Sequence, residues 1–108
     1  MRRQLAKAIG NELETETVIS PKTYALYQNH PNPFNPTTTF NFDLPERSQA
    51  KLAVYNILGQ EVAVVANGIW MAGAHSVAWN ASMLPSGVYF YTMEAGRFRA
   101  VRKLLILK

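Results

Sequence analysis

The stretch Thr37-Thr38-Thr39-Phe40-Asn41-Phe42-Asp43-Leu44 decides the fold class of this 108-residue chain, because its polar and apolar residues alternate. Successive side chains of a β-strand point to opposite faces of the sheet, so alternation indicates one buried and one solvated face. Four of the eight residues share the apolar face of this strand: Thr38, Phe40, Phe42 and Leu44. The stretch therefore predicts a strand that packs on one side against a core.

Six further runs of strand-forming residues surround this stretch, at residues 24–28, 51–57, 61–66, 74–80, 88–95 and 98–107. Turn residues separate them, including Leu58-Gly59, Asn67-Gly68 and Pro85-Ser86-Gly87. Hydrophobic residues make up 48% of the chain, which is typical of a globular domain. About seven short strands at regular spacing predict an all-β fold, an immunoglobulin-like antiparallel β-sandwich.

The first 22 residues differ in character and are predicted to be a flexible leader or linker remnant, so that the domain spans residues 23–108. Their basic start is followed by acidic residues rather than by a sustained apolar run, so we expect no signal peptide. No apolar run is long enough to span a bilayer as a helix. The chain is expected to be the tail of a longer protein or a truncated reading frame.

Aromatic residues and one turn predict the core. In Leu84-Pro85-Ser86-Gly87-Val88-Tyr89, a bend and a glycine precede a tyrosine near the start of a strand, which resembles the tyrosine corner of sandwiches. The aromatic residues expected in the core are Phe40, Phe42, Trp79, Tyr89 and Tyr91. Trp70, which follows Asn67-Gly68, is expected to be exposed in a loop.

A proline-rich segment, His30-Pro31-Asn32-Pro33-Phe34-Asn35-Pro36, precedes the first long strand. Proline fixes φ and favours extended geometry in the residue before it, which predicts a rigid loop. In one interpretation Phe34 plugs an end of the core; in the other, the loop is recognised by a partner. The two interpretations are compatible.

The final segment, Arg102-Lys103-Leu104-Leu105-Ile106-Leu107-Lys108, is apolar on both faces and carries cations at its ends. The formal net charge is +4, and several cations gather here: Arg97, Arg99, Arg102, Lys103 and Lys108. A partly solvated strand should alternate, so we hypothesise that a partner reads this segment, through strand addition and charge steering. It could also pair between two copies and form a dimer.

Catalysis, cofactors and nucleic acid are not expected. The chain has no cysteine and only two histidines, His30 and His75, neither with a partner at metal-ligand spacing. Its six glycines are scattered among turns and form no phosphate loop. The basic residues near Phe98 lack a recognition helix or a paired stacking motif, so we expect no nucleic-acid partner.

Five ordered blocks, at residues 29–40, 52–62, 72–75, 84–91 and 103–108, are similar to the C-terminal sorting domain of the type IX secretion system, in its type A form. The opening block also resembles the immunoglobulin-like domain of flagellar hook-capping proteins. The first resemblance implies that the domain directs an attached N-terminal cargo from the periplasm through an outer-membrane translocon. It also implies a surface sortase that removes the domain, so that the cargo is secreted or joined to the cell surface.

The resemblance further implies which residues carry recognition. The early motif comprises Pro31, Asn32, Pro33, Asn35 and Pro36, although Pro36 stands where the best-studied members have glycine. The middle motif, for recognition or turn formation, comprises Leu84, Gly87 and Tyr89. The terminal signal comprises Lys103, Leu104, Leu105, Ile106, Leu107 and Lys108. Two alternatives stay open: a structural assembly domain of the hook-cap type, and a carbohydrate-binding module with exposed aromatic side chains.

Overall fold

The computed structural model describes residues 21–108, and within them the chain forms seven β-strands and no helix. The strands are β1 (Ala25–Leu26), β2 (Thr37–Leu44), β3 (Ser48–Tyr55), β4 (Glu61–Trp70), β5 (Gly73–Asn80), β6 (Gly87–Ala95) and β7 (Phe98–Ile106). Residues 21–108 contain no helix that is long and apolar enough to cross a membrane. The predicted leader, apart from its residues 21 and 22, lies outside the described residues.

Two antiparallel sheets form the domain, one in the order β1-β2-β5 and the other in the order β4-β3-β6-β7. The predicted seven-stranded β-sandwich is therefore confirmed. The fourth strand pairs with β3, whereas constant-type immunoglobulin domains place it in the sheet of the first, second and fifth strands. The larger sheet consequently has β4 and β7 as its two edges.

The core lies between the sheets and is built from the alternate residues that the sequence predicts. Along β2 every second side chain from Thr38 to Leu44 is buried, as expected from the opening stretch. Facing residues come from the other sheet, with Leu52, Val54, Tyr91 and Met93 fully buried. The phenol of Tyr91 lies 4.7 Å from the Phe40 ring, centroid to centroid. The expected aromatic core is confirmed, with Trp79 half-buried against it.

Two predictions about the β4 region are wrong. Asn67-Gly68 does not form a turn, because β3 begins earlier than predicted, at Ser48, and its first residues pair with a β4 that continues to Trp70. Trp70 is not an exposed loop residue. Its ring packs edge-on against Phe42 and His75, at centroid distances of 5.4 and 5.0 Å. Extra strand pairing thus overrode the local turn signal and placed the indole against the core.

Candidate functional site

The terminal segment, which comprises the end of β7 and the two residues after it, alternates between side chains that face the core and side chains that face outward. Leu104 and Ile106 are fully buried in the core. Lys103, Leu105 and Leu107 occupy the alternate positions and face outward, with Leu105 half-buried and Leu107 51% exposed. Only one face of the apolar segment is therefore covered by the core. The other presents leucines between the cations Lys103 and Lys108.

The outer main-chain edge of β7, on the side away from β6, is paired with the proline-rich loop. The Leu105 N–H donates to Asn32 Oδ1 at 2.9 Å, and the Phe34 N–H donates to the Leu105 carbonyl at 3.2 Å. The Leu107 N–H donates to the Phe34 carbonyl at 3.1 Å. Because these groups are already bonded, strand addition or a dimer through this part of β7 would have to displace the loop.

Contacts with the same strand continue on the N-terminal side of the loop. The Tyr24 ring stacks on Phe98 at 5.3 Å. Arg102 Nε donates to the Leu26 carbonyl at 2.6 Å, and Gln28 Nε2 donates to the Lys103 carbonyl at 2.8 Å. We call residues 24–34 the strap, because this segment runs parallel to β7 and contacts it from Phe98 to Leu107.

The strap is fastened from inside the core by Tyr91. Its hydroxyl donates to the Tyr27 carbonyl at 2.7 Å and accepts from the Asn29 N–H at 2.9 Å. Burial raises the pKa of the Tyr91 phenol above its ordinary value of 10.0, since a phenolate is poorly solvated there; the Asn29 N–H and nearby Arg102 act in the opposite direction. No residue pattern predicts this link, because both partners on the strap use main-chain atoms.

The early motif is anchored on several sides. His30 and Thr39 exchange two main-chain hydrogen bonds, and the Pro31 carbonyl accepts from Thr38 Oγ1 at 2.8 Å. Phe34 is only 3% exposed and packs against Trp79, which confirms the predicted core plug. The predicted recognition residues of this motif are all exposed: Pro31, Asn32, Pro33, Asn35 and Pro36.

The middle motif forms the predicted tyrosine corner. The Tyr89 hydroxyl donates to the carbonyl of Pro85, four residues upstream, at 2.9 Å. Gly87 begins β6 with φ at +154°, a backbone conformation that residues with a side chain rarely adopt. Leu84 is half-buried and packs against the core. The motif therefore shapes the start of β6, where β6 meets the end of β7.

All three motifs converge around Ile106. Gly87 pairs with Ile106 on one side, and Phe34 bridges to it on the other. Lys108 is tied to the middle turn, since its N–H donates to Ser86 Oγ at 2.9 Å and its Nζ donates to the Ser82 carbonyl at 2.6 Å. Ser86 was predicted only as a turn residue and Ser82 was not singled out, because their bonds to Lys108 join residues distant in sequence. We call this meeting point of the motifs the junction.

The outer face beside the junction continues onto neighbouring strands. Val88 lies opposite Leu105, and Phe90 lies opposite Lys103; their side chains are 40% and 36% exposed. Phe90 lines a shallow groove of about 340 Å³, together with residues that include Tyr55, Ile57 and Val101. The cations predicted to gather here are all exposed: Arg97, Arg99, Arg102, Lys103 and Lys108. Arg102, however, lies on the same side of β7 as Leu104 and Ile106, where its Nε donates to the Leu26 carbonyl, so it does not belong to the outer face. Arg99 forms an ion pair with Glu94. The face is therefore apolar at its centre and mainly cationic at its rim.

The titratable and aromatic side chains that could serve metal or sugar binding were also located in the described part of the chain. Within residues 21–108, no cluster of three histidine, aspartate or glutamate side chains could hold a metal ion. His75 lies in β5, where its Nε2 is 2.7 Å from the Met71 carbonyl. Both tryptophans pack against the core, which removes them from any exposed aromatic platform for sugars. The arrangement offers a contact surface.

Residues 28–107 match the protein-family model described as the secretion system C-terminal sorting domain. No curated protein matches the chain. This family is not an enzyme family; its members are sorting signals for type IX secretion, which favours that function over the hook-cap and carbohydrate-binding alternatives. Such a domain is the C-terminal part of a cargo protein that reaches the cell surface or the medium. Because the match covers the early loop, the middle turn and the whole of the last strand, the chain belongs to the family of secretion system C-terminal sorting domains.

Proposed function

We propose that the outer face of β7 is the surface through which this sorting domain is read by the outer-membrane translocon. The observation that supports the proposal is that the terminal segment has some side chains buried in the core and others exposed to solvent. Leu104 and Ile106 serve the core, while Lys103, Leu107 and Lys108 are exposed. An exposed leucine between two lysines contributes nothing to the core, and it offers a partner both apolar area and charge complementarity.

The wider pathway belongs to the same proposal. The domain is of the type A form and is related to the immunoglobulin-like domain of hook-capping proteins. It holds an N-terminal cargo that crosses the periplasm, passes the translocon and is released or attached to the surface by a sortase. The leader, residues 1–22, is the remnant of the linker to that cargo, and residues 23–108 are the sorting unit. Recognition needs no cofactor and no nucleic acid.

Roles follow for the predicted site residues. Lys103, Leu107 and Lys108 contact the translocon, while Leu104 and Ile106 hold the strand in place from below. Gly87 and Tyr89 shape the junction from the side of β6. The geometry supports side-chain recognition better than strand addition at residues 105–107, because the main-chain edge there is bonded to the strap.

The test joins residues 23–108 to a reporter with a signal peptide, in a bacterium that has type IX machinery. Deleting residues 103–108 is expected to abolish export, but this deletion also removes two core residues. The sharper variant is Lys103→Gln with Leu107→Ser, which changes only exposed side chains. It should retain folding and lose most export of the reporter.

The matched control is Val64→Ser. Val64 is 47% exposed on β4, where it pairs with Ala53 on the same sheet, so its loss of apolar surface resembles that at Leu107. Export of this control should equal that of the unchanged fusion. Normal export of the folded Lys103→Gln/Leu107→Ser variant would exclude the outer face of β7 as the recognised surface.

A further inference from the structure

We propose that Asn32 of the early motif and the neighbouring Phe34 are positioning residues, which hold the outer edge of β7 in register instead of contacting the secretion machinery. This inference rests on the proposed function, because it assigns the motif a role through the terminal signal. It separates two roles that the sequence pattern cannot separate. A recognised loop and a clamp on a recognised strand are both compatible with this proline-rich sequence.

Hydrogen bonding at the junction supports the clamp. The Asn32 side-chain carbonyl accepts a hydrogen bond from the Leu105 N–H. The Phe34 N–H donates to the Leu105 carbonyl, and the Phe34 carbonyl accepts from the Leu107 N–H. Three bonds from two residues thus cover the main chain beside the outward-facing leucines. Such bonds fix how far β7 extends and which way its outer side chains point.

Burial supports the same role for Phe34. Its side chain is 3% exposed and packs against Trp79, so a partner meeting the folded domain could not contact it. The buried ring instead holds the loop against the core, and the main chain of the loop is hydrogen-bonded to the end of β7. Without this cover, the end of β7 would be held on one side only, by β6, and strand ends held in this way fray readily.

Asn35 provides an internal comparison within the same motif. It is exposed like Asn32, but no hydrogen bond joins its side chain to another residue in the part of the chain that the structure describes. A partner that reads the exposed motif directly could contact either asparagine. A clamp, in contrast, depends on Asn32 alone, and specifically on an acceptor oxygen at that position.

Three variants of the reporter fusion test this distinction: Asn32→Ala, Asn32→Asp and Asn35→Ala. Asn32→Ala removes the acceptor and should speed hydrogen exchange at the Leu105 amide by about 5- to 30-fold relative to core amides, with reduced export. Asn32→Asp keeps an acceptor oxygen, so it should restore both slow exchange and export. Asn35→Ala should leave both measurements unchanged.

Val77→Ala is the control for a general loss of stability. Val77 lies on β5 in the other sheet and packs against the core, so its truncation lowers stability without touching the strap or β7. At equal loss of melting temperature, Val77→Ala should export normally while Asn32→Ala does not. Equal impairment of the two would reduce Asn32 to an ordinary stabilising residue and overturn the proposal.

Two further results would also overturn it: normal export of Asn32→Ala despite fast exchange at Leu105, or impaired export of Asn35→Ala. Failure of the proposed function is distinguishable from both. In that case the Lys103→Gln/Leu107→Ser variant exports normally, whatever the strap variants do. If that variant fails to export and Asn32→Ala succeeds, only the positioning role is lost.

Discussion

The two edge strands of the larger sheet are protected in different ways. β4 pairs irregularly with β3, with register shifts between Leu52 and Ala53 and between Val54 and Tyr55. β7 pairs with β6 without any shift and is covered instead by the strap, residues 24–34. Bulges discourage edge-to-edge pairing locally, whereas a regular edge needs a separate cover. Substitutions of exposed residues on β4 should therefore change stability little. Substitutions in the strap should disturb the terminal signal, which is distant in sequence but hydrogen-bonded to it.

Among the substitutions that test this difference between the two edges, Phe34→Ala should lower the free energy of unfolding most. It removes a buried ring that anchors the strap and should cost about 3–5 kcal/mol of unfolding free energy, as is usual for Phe→Ala in a core. The exposed control Val64→Ala, on β4, should change stability by less than about 0.5 kcal/mol. Denaturant titration followed by tryptophan fluorescence measures both. Equal costs for the two variants would show that the strap anchor contributes no more than a surface residue.

Two glycines of the larger sheet extend the comparison: Gly87 in β6, beside β7, and Gly68 in the opposite edge strand β4. Gly87→Val should destabilise the domain by roughly 2–3 kcal/mol, because φ is +154° at this position and a β-branched residue is strained there. The cost comes from the backbone, since the nearest atom to an added Cβ is Tyr89 Cε1 at 3.9 Å.

Gly68→Ala, on β4, is the counterpart. Gly68 is not among the glycines with positive φ, and an added Cβ would meet nothing within 4 Å. This substitution should be neutral or slightly stabilising, by up to about 1 kcal/mol. Thermal denaturation compares the two variants, and an unchanged melting temperature for Gly87→Val would contradict the strained turn.

Tyr91→Phe should weaken the attachment of the strap to the core, with a smaller loss of unfolding free energy than Phe34→Ala or Gly87→Val. It removes the hydroxyl that links Tyr27 and Asn29, a loss of roughly 1–2 kcal/mol for two hydrogen bonds. Hydrogen exchange at Leu105 and Leu107 should quicken. Tyr55→Phe, at a partly exposed phenol on β3, should leave exchange at these two amides unchanged.

The same substitution has a predicted pH signature. The pKa of the folded Tyr91 phenol is raised, mainly by burial, so above pH 10 the unfolded chain releases this proton while the folded chain keeps it. The resulting stability is complete below pH 10 and is lost as the pH rises towards the folded-state pKa. Stability of Tyr91→Phe should decline less steeply above pH 10. Parallel curves for the two proteins would indicate that this phenol titrates normally.

How much the sequence could predict depended on the range of each interaction. The bounds of β2 and the Tyr89 corner were predicted, because alternation and the Gly87-Val88-Tyr89 pattern are local in sequence. Trp70 was misplaced because pairing with the start of β3 outweighed a local Asn-Gly signal. The junction was not predicted, since main-chain bonds from Phe34 to Leu105 and Leu107 leave no side-chain pattern to read. The proposed roles of the site residues stay predictions.

The distance along the chain between the strap and β7 has a consequence for the order of folding. Asn32 and Leu105 are 73 residues apart, whereas the β6–β7 hairpin closes through Gly96 and Arg97. Closing a long loop costs more entropy than closing a hairpin, so we expect the strap to dock late. The recognised surface would then be complete only in a chain that has finished folding. A sorting domain whose strap has not yet docked would therefore not present the outer face of β7 in its final form.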